Sequence, residues 1–412
     1  MRIYHGWYMV AVSALVYMLL LGSTYSAFGL FVLPVSAEFK LSRADINTAL
    51  ILVSMGSAVM SPFLGRLLDR FSSKRIMMIS AVVFGLSLVG LGLSHSLWVN
   101  AAVLVVPLAA AFEGAGALTL SVFLARWFVA QRGRAMALAY IGASAGGIAV
   151  TPAIGLLIEH NGWRSALVTT GLVVGALLVM LAATLRDRPG PDDIEVKPAG
   201  PPVTAREPVG APDKVRDIMA RPQFWFVALG VALGTAVAQA ITISIVPLAL
   251  EGGLTMIQAT TLVSVTATSA ILGKLLLAWQ GDRVDSATLL TGMFGLGALV
   301  NAALLYSESF PTLVGCAAVV GLTTGAISPT FYALLADRFG VPSFGTVRGL
   351  MAPIGSVLGI AGVRLAGEVY DRTGGYDALF AAFIGVELVA AVMLLATRFS
   401  PRAATVPLEA AT

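Results

Sequence analysis

Apolar runs long enough to cross a bilayer recur along almost the whole chain, punctuated by short clusters of charge, glycine and proline. A hydrocarbon core of about 30 Å needs about 20 apolar helical residues to cross it, and the backbone inside it must satisfy its own N–H and C=O groups. Together these requirements point to an all-α polytopic membrane protein. Only 12% of the residues are charged against 58% apolar, about half the charge of a soluble domain. Reading apolar windows against the punctuation predicts twelve spans, at about 7–33, 44–68, 75–94, 98–125, 133–158, 164–185, 223–250, 256–281, 287–306, 310–336, 345–370 and 376–398. The first is too long for the apolar region of a signal peptide, and no small-x-small site closes it. With Cys316 as its single cysteine, the chain makes no intrachain disulfide.

Charge orients the frame. The loops sharing a side with the N-terminus hold most of the basic residues, among them Arg66, Arg70, Lys74, Arg75, Arg126, Arg132, Arg134, Arg283, Arg338 and Arg348. The opposite side has Lys40, Arg43, Arg164 and Arg372. The positive-inside rule then puts both termini in the cytoplasm, with a plasma (inner) membrane location. Trp7, Trp98, Trp127, Trp163, Trp225 and Trp279 all fall near predicted span ends, where indoles sit among headgroups. Basic residues form no stripe with aromatics, so nucleic acid is not expected as a partner.

Between spans 6 and 7 the composition turns rich in proline, glycine and charge from Arg186 to Pro222. The expected division is a six-helix bundle over 1–185, a cytoplasmic linker largely without regular structure over 186–222, a second six-helix bundle over 223–398 and a cytoplasmic tail over 399–412. The halves echo each other: Asp69-Arg70 closes span 2 and Asp282-Arg283 closes span 8. A duplicated six-span unit is the plan of alternating-access transporters.

Gly65-x-Leu-x-Asp69-Arg70-x-x-x-Lys74-Arg75 resembles the loop 2–3 motif of the major facilitator superfamily, with Ser72 where that motif usually has a second glycine. The resemblance covers essentially the whole chain and implies a central cavity lined by spans 1, 4, 7 and 10. Gly65, Asp69, Arg70, Asp282 and Arg283 then become candidate gating residues, Asp69 because a carboxylate at a helix end can sit on another helix's positive N-terminus. Plain positive-inside topology also accounts for the basic residues. Tyr4-His-Gly-Trp7, and the stretch Arg126 to Gly147, are similar to two signatures of the monocarboxylate porters and their oxalate–formate exchanger relatives. Such relatives move small organic anions. In them a basic residue on span 8, eight before the closing acidic or amide residue, holds the substrate carboxylate. The resemblance carries that role to Lys274, eight before Asp282. Two departures are Ala270, where porters often have an acidic residue or Asn, and the absence of a span 1 lysine, whose region holds Tyr25, Phe28 and Gly29.

Charges inside spans carry the rest. Lys274 lies in an apolar run, where an ammonium costs at least about 2.5 kcal/mol unless it faces water or an anion. A structural ion pair, or snorkelling toward the cytoplasm, is the alternative. Glu113 lies near the middle of span 4 and is the candidate proton carrier; a neutral carboxyl packed against glycines is the alternative. Arg364 is read as structural or snorkelling, and Glu387 as a protonated packing residue. Tyr25, Tyr140, Gln239 and Tyr332 are cavity candidates that serve equally well as packing. Pro247 and Pro329 are expected bending points of cavity helices. There is no Walker loop, nucleophile elbow or His/Cys cluster, so neither enzyme chemistry nor a cofactor or metal is expected. The expected function is proton-coupled transport of a small carboxylate by a monomer in the bilayer. A hydrophobic-solute exporter and a non-transporting sensor of the same fold stay open.

Overall fold

Inside a bilayer an apolar run becomes one continuous rod unless a local residue prevents it. The structure, a computed structural model, describes residues 4–40, 43–190, 193–195, 203–204, 213–280, 283–306, 309–373 and 376–398. Among them, 11 helical stretches are long and apolar enough to cross a membrane. One of these, Arg132–Thr184, has 53 residues, about 80 Å of helix and far more than one bilayer core needs. Gly162 breaks it with φ 76° and ψ 161°, a conformation open essentially to glycine alone. The break makes two spans of one stretch, and twelve in all.

The chain separates into two compact units, one chiefly of Met1–Pro212 with Phe339–Pro353, the other of Asp213–Arg338 with Ile354–Thr405. In the first, span 1 is two helices, α1 (His5–Ser23) and α2 (Phe28–Phe39), joined by a turn over 24–27. The local sequence explains the break. Ser23 and Thr24 return their hydroxyls to the carbonyls of Leu19 and Leu20, each at 2.6 Å, an alternative that short polar side chains offer the backbone. Spans 2 and 3 are α3 (Arg43–Arg70) and α4 (Ser73–Leu93). Span 4 is interrupted twice. Its pieces are α5 (Leu97–Val103), a π turn (Leu104–Leu108) containing Pro107, α6 (Ala109–Ala115) and α7 (Ala117–Trp127). The π turn brings the Val105 carbonyl to 2.0 Å from where a Cβ on Gly56 would be, so only glycine admits it. At Gly116 the chain leaves the helical region (φ −102°, ψ −137°), and Thr119 donates its hydroxyl to the stranded Gly114 carbonyl at 2.6 Å.

Spans 5 and 6 are the two halves of α8 (Arg132–Thr184). Gly142 and Gly146 let span 5 meet the α1 backbone, where an added Cβ would lie 1.9 and 2.4 Å from the Ala14 and Met18 carbonyls. This is the small-residue packing expected in lipid.

The segment after span 6 is not featureless, as its composition had suggested. β1 (Ile194–Glu195) pairs antiparallel with β2 (Val203–Thr204), and α9 spans Val215–Ala220.

The second unit contains α10 (Pro222–Glu251), α11 (Met256–Gln280), α12 (Ser286–Tyr306), α13 (Phe310–Phe339), most of α14 (Phe344–Thr373) and α15 (Asp377–Thr397). A 3-10 turn, Val341–Ser343, leads into α14. α10 and α13 stay helical through positions 247 and 329, so neither expected bending point interrupts its helix, whereas spans 1 and 4 break. Glu387 is buried, accepts a hydrogen bond from Asn301 Nδ2 at 3.1 Å and fills the space beside Gly297, which is a packing role.

Candidate functional site

Each broken helix leaves backbone and side-chain groups that a continuous rod would bury in its own ladder. In the first unit the two breaks come together around Glu113. Glu113 is on α6, three residues before the Gly116 break, and its Oε2 is enclosed without a hydrogen-bond partner. The Ser61 hydroxyl of α3 lies within hydrogen-bonding reach of its carboxyl, and the Arg348 guanidinium of α14 acts on it electrostatically. Ser61 commits its proton to the Ser57 carbonyl at 2.7 Å, so toward Glu113 it offers a lone pair. That lone pair is a partner for a protonated carboxyl, whereas Arg348 is a partner for an ionised one. Tyr25 occupies the turn between α1 and α2, its ring centroid 5.4 Å from Phe112, with Ser54 and Glu113 as polar neighbours. Tyr140 lies instead against Tyr17 of α1, ring centroids 4.9 Å apart.

In the second unit Lys274 is only 5% exposed on α11. A close seam with α13 holds it there: a Cβ on Gly273 would lie 2.1 Å from the Leu322 carbonyl, and one on Gly325 2.1 Å from that of Ala270. Tyr332 is buried on α13 beside Phe331. Gln239 is exposed on α10, and its Oε1 lies 2.9 Å from where a Cβ on Gly359 of α14 would be. Arg364 is exposed on α14.

Asp69 ends α3 beside the start of α14. Its two carboxylate oxygens accept hydrogen bonds from the Gly345 and Thr346 N–H groups at 2.8 and 2.7 Å, satisfying donors that a helix N-terminus leaves open and meeting its positive dipole end. Gly65 makes this approach feasible, since a Cβ there would sit 2.0 Å from the Gly345 carbonyl. Gly349 repeats the approach one turn on, against the Ser61 carbonyl at 2.3 Å. Arg70 is exposed. The guanidinium beside Asp69 belongs to Arg126, at the end of α7, which also donates to the Leu68 carbonyl at 2.6 Å and to Ser73 Oγ at 2.9 Å. Ser72, where the motif departs from glycine, is the N-cap of α4: its Oγ accepts from Arg75 N and donates to Asp187. Arg283 is exposed in the turn after α11, and Asp282 lies outside the described residues. The second unit has its own tie at that end. Arg338, its side chain 1% exposed, pairs at 2.9 Å with Asp285, which caps α12.

The two sequence signatures meet in space. Tyr4 donates its hydroxyl to the Trp127 carbonyl, packs edge-on against Phe128 at 5.4 Å, and Trp7 lies 5.0 Å from Phe128 under the Arg134 guanidinium. Trp127 is fully buried and donates to the Arg186 carbonyl at 2.9 Å, so this tryptophan is a core residue and not a headgroup anchor; Trp98, Trp225 and Trp279 are exposed. The Glu195 carboxylate, itself buried, accepts from the N–H groups of Val129, Ala130 and Gln131 at 2.8–3.2 Å. Burial, then the carboxylates of Glu195 and Asp193, push the Tyr4 phenol pKa up.

Arg348, Arg126 and Arg338 entered the sequence reading for topology or signature and Glu195 not at all, because each stands at a span end or in a loop, where charge is the norm. One signal for Arg348 was available. Gly345 and Gly349 flank it at the i, i+4 spacing of a close helix contact.

The Major Facilitator Superfamily family model matches residues 13–279 and 233–411. Monocarboxylate transporter 13 of Bos taurus is 29% identical over 394 residues, covering 91% of this chain and 85% of that protein. The MFS-type transporter YcxA of Bacillus subtilis is 23% identical over 378 residues, 90% of each chain. The fold is similar to that of the transporter FucP in its outward conformation, with a TM-score of 0.68 at 14% identity over 95% of this chain and 98% of that one. Twelve apolar spans, a broken cavity-helix pair and a family model that runs nearly end to end lead to one conclusion: the chain belongs to the major facilitator superfamily and is a multi-pass membrane transporter, not an enzyme.

Proposed function

We propose that this transporter carries small organic anions, monocarboxylates foremost, by alternating access coupled to protons. The observation that carries the reading is Lys274, a cation held 5% exposed on a transmembrane helix. Such a group is costly in an apolar span and marks a ligand path by default. The name of the bovine relative supports the substrate class. Lysine supplies a point charge, without the fork geometry of arginine, which suits a single carboxylate.

The proton travels on Glu113. Its surroundings support this, because Ser61 can accept from the protonated carboxyl and Arg348 can neutralise the ionised one. Asp69, with Gly65, holds the start of α14 while one face is closed, and releases it during the cycle. Arg70, Asp282 and Arg283 serve the same gating. Tyr25, Tyr140, Gln239 and Tyr332 contribute cavity wall. The carrier works as a monomer in the plasma membrane with both termini cytoplasmic.

Uptake of labelled lactate and pyruvate into proteoliposomes tests the reading. Lys274→Gln should raise the apparent KM about 30-fold or more, as expected when a desolvated charge loses its partner, and Lys274→Arg should keep part of the activity. Normal uptake by well-expressed Lys274→Gln protein overturns the anion assignment and favours a hydrophobic-solute exporter.

A further inference from the structure

Inside the first unit lies a cavity of about 450 Å³ walled by spans 1 to 4 and 6. That volume is in the range of small-molecule sites. No charged residue lines it; Phe28, Phe31, Leu91 and Phe112 give it a chiefly apolar wall. Most of its polar side chains are already occupied. Ser23 and Thr24 donate to their own helix, and Trp163 donates its indole N–H to Glu38 at 2.9 Å. The Asn100 Oδ1 is different, being enclosed with no hydrogen-bond partner. Leaving such an acceptor unsatisfied forfeits its hydration without replacing it.

We propose that this cavity binds a neutral single-chain amphiphile drawn from the bilayer, an alkanol or arylalkanol, with its hydroxyl on Asn100 and its chain among Phe28, Phe31 and Leu91. A carboxylate is excluded because no cation in the wall would replace its lost hydration. A hydroxyl fits better than a carbonyl or an amine. It both donates and accepts, and so satisfies an Asn amide whichever of its two ends faces the ligand. Supply from the bilayer follows from the surroundings of Asn100 on α5, where Leu97, Trp98 and Val99 are 42%, 86% and 50% exposed on a membrane-crossing stretch. Bound there, the ligand would brace the 24–27 turn, whose Thr24 and Tyr25 form part of the wall. The proposal is independent of the anion reading.

The test uses full-length protein in nanodiscs and octanol carrying a diazirine. Illumination should attach it to the peptides containing Phe28 and Leu91, and excess 1-octanol should compete, whereas octane should not. Leu91→Trp, which fills the cavity, should cut this labelling about tenfold, and Asn100→Leu should weaken octanol competition about fivefold, the loss of one hydrogen bond. Ala101→Phe fills the same space from span 4 and must act as Leu91→Trp does. Labelling of the peptide containing the exposed Trp279 should stay constant in every variant, reporting intact fold and equal reagent. Label confined to the Trp279 peptide, undiminished label in both filled variants, or equal competition by octane overturns the proposal.

Discussion

The two six-span halves keep their irregular backbone in different places. In the first, span 1 breaks over 24–27 and span 4 breaks at Gly116. In the second, the corresponding α10 and α13 run unbroken, even through Pro329. The difference sorts the chemistry. A break frees hydroxyls and carbonyls, and the broken half holds a carboxyl with one partner suited to each protonation state. The continuous half holds a fixed cation, Lys274, in a glycine-lined seam that leaves little room for rearrangement. The repeat duplicated the scaffold, and the ties at the ends of spans 4 and 10 show it. Arg126 closes span 4 onto Ser73 at the start of span 3, and Arg338 closes span 10 onto Asp285 at the start of span 9. The chemistry inside the two halves was not duplicated.

Glu113→Gln offers the largest expected effect, because it freezes the broken half in its protonated form. Anion exchange across liposomes should continue while accumulation driven by an inward pH gradient disappears. Retained accumulation moves the proton to another group.

The paired ties come next. Arg338→Ala should cost about 3–5 kcal/mol in thermal unfolding, since it strands the Asp285 charge beside a nearly buried site. Arg126→Ala removes hydrogen bonds to two neutral acceptors and a longer-range partner, and should cost about 1–3 kcal/mol. Equal losses would mean that the two ties are energetically as well as positionally equivalent. A double variant Arg338→Ala/Asp285→Ala should recover part of the single loss.

Asp69→Asn should weaken the hold on α14 by about 1.5–3 kcal/mol, the range for hydrogen bonds to a charged group. Substrate affinity in a thermal-shift titration should barely change. Accessibility of single cysteines on a Cys316→Ser background should shift on both faces; unchanged labelling would remove the gate from Asp69.

The smallest effect is Tyr4→Phe, about 0.5–1.5 kcal/mol for one hydrogen bond. It also sets a sign. Because the folded phenol pKa lies above its unfolded value of about 10, Tyr4 contributes fully below pH 10 and loses that contribution as pH rises further. Stability of the wild type should therefore fall faster than that of Tyr4→Phe above about pH 10, read by unfolding midpoints in a pH series.

What the sequence determined by itself was the frame: twelve spans, including the interruption between the fifth and sixth that the structure places at Gly162, and the family. Each of these is local. A bilayer tests every window of about twenty residues for apolarity separately, and a glycine with φ 76° needs only its own missing Cβ. Lys274 and Glu113 were equally legible, because a charge inside an apolar run stands out without any neighbour. Tertiary structure decided which charges meet. Asp69 caps residues 276 and 277 positions away in the chain, Arg348 turns from a loop charge into the partner of Glu113, and Glu195 closes a set of amides that its composition-biased segment gave no hint of. Nor did the two prolines break their helices, while Thr24 and Gly116 did. A proline's missing donor can be absorbed where neighbouring helices support the rod. Whether a hydroxyl or a glycine opens one depends on what packs against it, and that is a property of the folded bundle.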